Sequence, residues 1–318
     1  MYGISAYTLW GLLPLYWKYL EEASAFEILA SRGVWSLLVC IILLAFRKQL
    51  KATLAIFRDR RTFALLALTS LFLTVNWGVY IWSVTVNRIV EASLGYFITP
   101  LVSVAFGILG FRERLRPLQW VAVGLAAVGV VTLTVQYGAI PFIALALAIS
   151  WSSYSLFKKS LKVGALEGLS IETTVALIPS LFYLIWLGEH SRGHFGTGVG
   201  ISLLLAGAGI ITVVPLLLFN GATTRLPLST TGLLQYITPG IMFLVGIFIN
   251  HEPMPLERAL GFGLIWLALA FLGTDLVRST RNTTESDQAL LDPAALFRTV
   301  ARPDSRRATG TRKGEHET

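Results

Sequence analysis

The 318-residue sequence predicts an all-α integral membrane protein, with ten transmembrane helices arranged as two inverted five-helix repeats. Three observations carry that expectation. Hydrophobic residues make up 54% of the chain and charged residues only 14%, whereas a soluble domain of this size carries roughly a quarter charged residues. Apolar stretches near the length of a bilayer span, about 20 residues, recur between short polar breaks. The second half also repeats residues of the first at a nearly constant offset.

The stretches are taken in chain order. The first, about 2 to 20, is rich in Trp and Tyr and ends near Lys18. No basic leader precedes it, so it reads as a span and not as a cleaved signal. The second, 26 to 46, carries Glu27, Arg32 and the single cysteine, Cys40. A basic loop leads to the third, 62 to 83, and Glu91 opens the fourth, 91 to 111. The fifth and sixth, 118 to 136 and 139 to 157, are separated only by Tyr137 and Gly138, yet their joint length needs two spans. Stretches 171 to 188, 200 to 219, 228 to 250 and 257 to 277 complete the set. From 278 to 318 the chain turns polar and is expected to be disordered. Within that tail, Leu290, Leu291, Ala294, Phe297 and Val300 recur at helical spacing and could rest on a membrane surface.

Basic residues set the expected orientation. With the N-terminus in the cytoplasm, 21 of the 26 Lys and Arg fall on the cytoplasmic side, including Arg112, Arg114, Arg116, Lys158, Lys159 and Lys162. Both termini are therefore expected inside. The net charge of +8 is explained by this bias, so nucleic acid is not an expected partner.

An offset of 139 aligns Phe97-Ile98-Thr99-Pro100 with Tyr236-Ile237-Thr238-Pro239, and continues ungapped through Gly107/Gly246, Glu113/Glu252 and Gly124/Gly263. At an offset of 141, Trp10 meets Trp151 and Lys18 meets Lys159. The expected units are residues 1–136 and 139–277, each with five spans. Because five is odd, the second copy crosses in the opposite sense, an arrangement common in secondary transporters. The arginines around Glu113 become His251, Pro253 and Pro255 around Glu252, as the positive-inside rule requires of an inverted loop.

Inverted repeats place substrate near the bilayer midplane, where helices are interrupted. Pro100 and Pro239, preceded by Thr99 and Thr238, fall midway along symmetric spans. They either line a cavity or only kink their helices. Ionisable groups within spans usually face a cavity or a partner. Arg32 and Glu91 are candidates for substrate or proton handling, while Glu27 reads as a structural ion pair near the interface. Glu27 and Arg32, five residues apart, point to different sides of a helix and are not expected to pair. Trp10, Asn76, Trp77, Tyr80, Tyr96, Trp151, Gln235 and Tyr236 could wall a cavity for amphipathic molecules. For Asn76 and Gln235 the competing role is helix-to-helix hydrogen bonding. Trp17, Trp82, Trp120 and Trp186 read as interface anchors.

Other chemistry lacks its motifs. No GxxxxGK[ST] loop, HExxH or GxSxG is present. One cysteine excludes an intramolecular disulfide and a CxxC site. No cofactor and no metal are expected, with His190 and His194 read as solvated loop residues.

Trp10-Gly11, Glu27-Ile28-Leu29 with Arg32 and Trp35-Ser36, Asn76-Trp77 with Ile81-Trp82, the run from Glu91 to Ile98, Ile171-Glu172-Thr173, Val214-Pro215-Leu216, and Gln235-Tyr236-Ile237 with Pro239 resemble the RarD branch of the EamA transporters, in the drug/metabolite transporter superfamily. The resemblance covers about residues 4 to 277. It implies two inverted EamA repeats, a central cavity, alternating access and the bacterial inner membrane. The branch name is linked to chloramphenicol sensitivity, and related exporters move amino acids and other metabolites. The first span departs from the superfamily's small multidrug exporters, which use an intramembrane glutamate there for proton coupling; here Glu21 and Glu22 follow the span. The expected function is non-enzymatic: a multi-pass secondary transporter exporting small amphipathic drugs or metabolites. A membrane-embedded sensor or assembly protein is the alternative. The expected partners are a small-molecule substrate and the lipid bilayer, and homodimerisation is left open.

Overall fold

The computed structural model describes residues 1–86, 88–137, 139–249, 263–264, 266–268, 270–271 and 273–275. All regular elements among them are helical. Helices α1 (Tyr2–Trp17), α2 (Ala25–Phe46), α3 (Leu50–Ile56), α4 (Arg60–Thr85), α5 (Ile89–Phe111), α6 (Pro117–Tyr137), α7 (Phe142–Ser160), α8 (Ala165–Glu189), α9 (Val199–Thr223), α10 (Leu228–Leu234) and α11 (Ile237–Phe248) follow in order. Helix occupies each of the first nine expected stretches. The tenth lies mostly outside the described residues, and the tail from 278 to 318, with its amphipathic stretch, lies wholly outside them, as do His251 and Glu252. The chain divides into two units, Met1–Leu272 and Gly273–Thr318, and of the second only residues 273–275 are described.

Among the described residues six helices are long and apolar enough to cross a membrane: Ala25–Phe46, Arg60–Tyr80, Glu91–Phe111, Pro117–Val135, Ala165–Glu189 and Val199–Thr223. The other expected spans fall short for visible reasons. Helix α1 has 16 residues before it tightens into a 3₁₀ turn at Lys18–Leu20. Helix α7 ends in Lys158 and Lys159. The ninth stretch is broken into α10 and α11 at Gln235 and Tyr236. Tight-turn bonds hold that break, from the Gln235 amide to the Gly232 carbonyl (3.0 Å) and from Thr238 to Gln235 (3.1 Å). Pro239 follows in the first turn of α11, where a missing N–H costs least. Its counterpart Pro100 stays inside the continuous α5, so the two prolines are not used alike.

Helix ends follow local chemistry. The Ser24 hydroxyl accepts the Glu27 amide (3.1 Å) and starts α2. Asp59 receives the amides of Arg61 and Thr62 and the Thr62 hydroxyl at the start of α4. Left-handed Lys48 (φ 56°) and Arg112 (φ 54°) terminate α2 and α5.

Side chains sort as a lipid-facing fold requires. Ile41, Ile42, Val128, Val131, Ile178, Phe182 and Leu203 are exposed, while Ser31, Ser36, Thr69, Ser70, Ser103 and Ser152 are buried between helices. Small residues allow the closest approaches: a Cβ added to Gly209 of α9 would stand 2.5 Å from the Trp35 carbonyl carbon of α2. Helices from the two halves interleave, with α5 and α4 packed on α7, α2 on α8 and α9, and α1 on α9 and α11. Helix α6 packs chiefly on α5, at the periphery.

Candidate functional site

The interleaving leaves a cavity of about 810 Å³ walled by α1, α2, α4, α5, α7, the α10–α11 break and α11. Ten of the fourteen residues singled out from the sequence line it: Trp10, Arg32, Asn76, Trp77, Tyr80, Tyr96, Thr99, Trp151, Gln235 and Thr238.

An aromatic cluster forms one wall. Trp10 and Trp151 meet edge to face with ring centroids 5.3 Å apart. Phe219 of α9 touches both, at 5.6 and 5.3 Å, and Tyr7, one turn before Trp10, stands 5.5 Å from it. Tyr80 and Tyr96 pair edge to face at 6.1 Å. Such pairs favour flat apolar partners and add specific geometry to area burial.

Arg32 supplies one of three charged side chains in the lining, beside Lys18 and Glu21. Its Nε donates to Thr212 Oγ1 at 2.8 Å, and its guanidinium lies 4.2 Å over the Trp77 ring and 5.3 Å from the Trp17 ring. Glu27 is engaged elsewhere, its carboxylate accepting the His194 and Phe195 amides and meeting His194 Nδ1 at 2.9 Å. The two charges of α2 are therefore separate, each with its own partner. His194 is not a purely solvated loop residue, and Trp17, expected as an interface anchor, lines the cavity.

Hydrogen bonds fix several lining side chains. Asn76 Nδ2 donates to the Leu147 carbonyl (2.9 Å) and to Ser150 Oγ (3.0 Å), tying α4 to α7 while the residue faces the cavity. Thr238 Oγ1 donates to the Tyr7 carbonyl at 2.9 Å, and Thr99 Oγ1 to the Gly95 carbonyl at 2.6 Å. Two buried polar atoms of lining residues, Trp151 Nε1 and Gln235 Oε1, have no hydrogen-bond partner among the described residues.

The remaining four expected residues lie off the cavity. Glu91 is buried and accepts the Ile143 amide at 2.8 Å, capping α7, with Arg88 Nε at 3.4 Å. Tyr236 donates to the Phe97 carbonyl at 3.0 Å. Pro100 and Pro239 are buried without lining it.

Sequence reasoning missed a second polar cluster. Lys158, read as a loop charge, is buried in the last turn of α7 and sits 2.8 Å from Glu172 Oε1. Thr69 Oγ1 donates to the same oxygen at 2.6 Å, Tyr154 reaches Oε2 at 3.5 Å, and Tyr154 also donates to Asn220 Oδ1 at 3.3 Å. The separation of these residues along the chain hid them. Among the described residues no group of His, Cys, Asp and Glu is arranged to hold a metal.

A helical membrane fold around an aromatic cavity lined by Arg32, Lys18 and Glu21 defines a polytopic protein of the solute-handling kind. The chain belongs to the EamA-like transporter family, whose model matches residues 1–135 and again 139–274. It is 47% identical over 296 residues to Protein RarD of Streptomyces exfoliatus, covering 93% of each chain. It is 37% identical to Protein RarD of Escherichia coli, covering 89% of this chain and 96% of that one. It is also 30% identical to a Chloramphenicol-sensitive protein RarD of Pseudomonas aeruginosa, over 88% and 94%. A solved crystal structure, 20% identical, superimposes with a TM-score of 0.67 over 85% of this chain and 95% of its own, which supports the fold alone.

Proposed function

We propose that the protein is a secondary transporter that exports small amphipathic drugs or metabolites by alternating access, built as ten transmembrane helices in two inverted five-helix repeats. The observation that carries this reading is the cavity of about 810 Å³, walled by helices from both halves of the chain. Its size falls within the roughly 300 to 1,000 Å³ of small-molecule sites. The paired family matches support the repeat, and the relatives are all bacterial, which supports the inner membrane as location. The basic-residue bias supports cytoplasmic termini. Trp10, Arg32, Asn76, Trp77, Tyr80, Tyr96, Trp151 and Gln235 form the substrate wall, while Thr99, Pro100, Tyr236, Thr238 and Pro239 shape it.

Purified protein reconstituted into liposomes is expected to move solutes from a panel of chloramphenicol, amino acids and related metabolites. Absence of protein-dependent flux or binding across that panel would overturn the reading.

A further inference from the structure

We infer that the cavity selects amphipathic organic anions: a carboxylate meets the Arg32 guanidinium, an aromatic body lies against Trp10 and Trp151, and a hydrogen-bond donor reaches Gln235 Oε1. The inference rests on the proposed transport function and adds to it the charge class of the substrate.

Arg32 uses Nε for Thr212 and lies over Trp77 and Trp17, so the stack and the hydroxyl fix the plane of its guanidinium. No carboxylate among the described residues pairs with it. Glu27 serves His194, Glu91 serves the start of α7, and Glu172 serves Lys158. The other charged lining residues are Lys18 and Glu21, neither within ion-pair distance of Arg32 among the described residues. A cation at membrane depth without a counter-charge is costly, and a ligand carrying the missing charge recovers that cost on binding. A planar guanidinium with free Nη groups matches a carboxylate by two parallel hydrogen bonds.

Two further atoms define the rest of the molecule. Trp151 Nε1 is a donor without an acceptor, and Gln235 Oε1, on a residue only 7% exposed, is an acceptor without a donor. Unsatisfied groups of this kind are themselves expensive when buried. A ligand with an oxygen for the indole, a donor for the amide oxygen and an aromatic ring for the Trp10–Trp151 wall satisfies all three. A neutral or cationic amphipath leaves Arg32 uncompensated.

A matched series tests this: 4-hydroxyphenylacetate, its neutral amide 4-hydroxyphenylacetamide, and the amine tyramine share the ring and phenol donor and differ in charge. Binding to the full chain in lipid nanodiscs is read by quenching of tryptophan fluorescence, alongside uptake into proteoliposomes. The carboxylate is expected to bind at least about tenfold tighter than the amide or the amine, as a charge-assisted pair requires. Arg32→Gln is expected to bring the three within about twofold of one another, with the carboxylate losing the most affinity. Equal binding of amide and acid by the unaltered protein, or no binding of the acid, overturns the inference without touching the transport reading, which the broader flux panel decides. Retained carboxylate preference in Arg32→Gln overturns it too. Should that variant fail to insert, the wild-type series alone decides the question.

Discussion

Lys158 Nζ lies 2.8 Å from Glu172 Oε1, and the two side chains are only 5% and 1% exposed. The pair joins α7 to α8, and Thr69 and Tyr154 bring α4 and the aromatic wall to the same carboxylate. Removing one member leaves a charge stranded in low dielectric. Glu172→Gln or Lys158→Met is therefore expected to destabilise the protein by about 3 to 5 kcal/mol, whereas replacing both by apolar residues restores much of the loss. Thermal unfolding of the detergent-solubilised variants measures this, and additive losses in the double variant would contradict it.

The aromatic wall is expected to act on substrate more than on folding. Trp10→Ala is expected to cut flux at least about tenfold. Trp151→Phe keeps an aromatic ring but removes the five-membered half of the indole with its unpartnered N–H, so it is expected to cost less than about 1.5 kcal/mol of stability and to weaken binding of ligands that accept from it. Flux and melting temperature, measured on the same preparations, separate the two effects.

Gly209 has no room for a side chain beside Trp35, since a Cβ there would stand 2.5 Å from the Trp35 carbonyl carbon. Gly209→Ala is expected to push α9 off α2 and to cost about 1 to 3 kcal/mol. Because Thr212 lies one turn further along α9 and holds Arg32, the same change is expected to weaken substrate binding. Unaltered melting and binding would argue against so close a contact.

Glu113, in the loop after α5, accepts the Leu228 and Ser229 amides at 2.6 and 2.8 Å and the Ser229 hydroxyl at 2.7 Å, with Lys159 at 3.4 Å. Partial burial would raise its carboxyl, but the Ser229 and Leu228 donors and Lys159 outweigh that and hold it below the ordinary carboxylate value. A lowered native value means that the unfolded chain binds the proton more readily. The stabilisation is therefore complete above the unfolded value and fades as pH falls through the folded one. Melting curves of the wild type and Glu113→Gln are expected to differ most at neutral pH and to converge in acid.

Much of the cavity was legible in the sequence because its walls break the composition rules of a span. Trp10 and Trp151, at matching places in the two halves, mark the aromatic wall, and an arginine within an apolar run announces a polar centre. Pairing was not legible. Membrane helices are apolar on nearly every face, so their periodicity does not say which side turns inward, and the place of Trp17 near a span end pointed to an interface anchor without showing that it lines the cavity. Lys158 was indistinguishable from its neighbour Lys159 as an orientation charge until α7 showed which of them turns under α8. Glu91, read as a cavity residue, instead caps a helix that starts more than 50 residues later. The break before Pro239 and its absence at Pro100 show that matching residues in two copies need not bend the chain alike.

The Glu113 carboxylate also has a mechanical meaning. It fastens the end of α5 to the beginning of α10, with the last turn of α7 on the same group through Lys159. Three helix ends hung on one side chain travel as a single corner. Any rearrangement that widens this end of the bundle must swing that corner as a block or first let go of the knot, so one loop residue governs which hinge the protein is free to use.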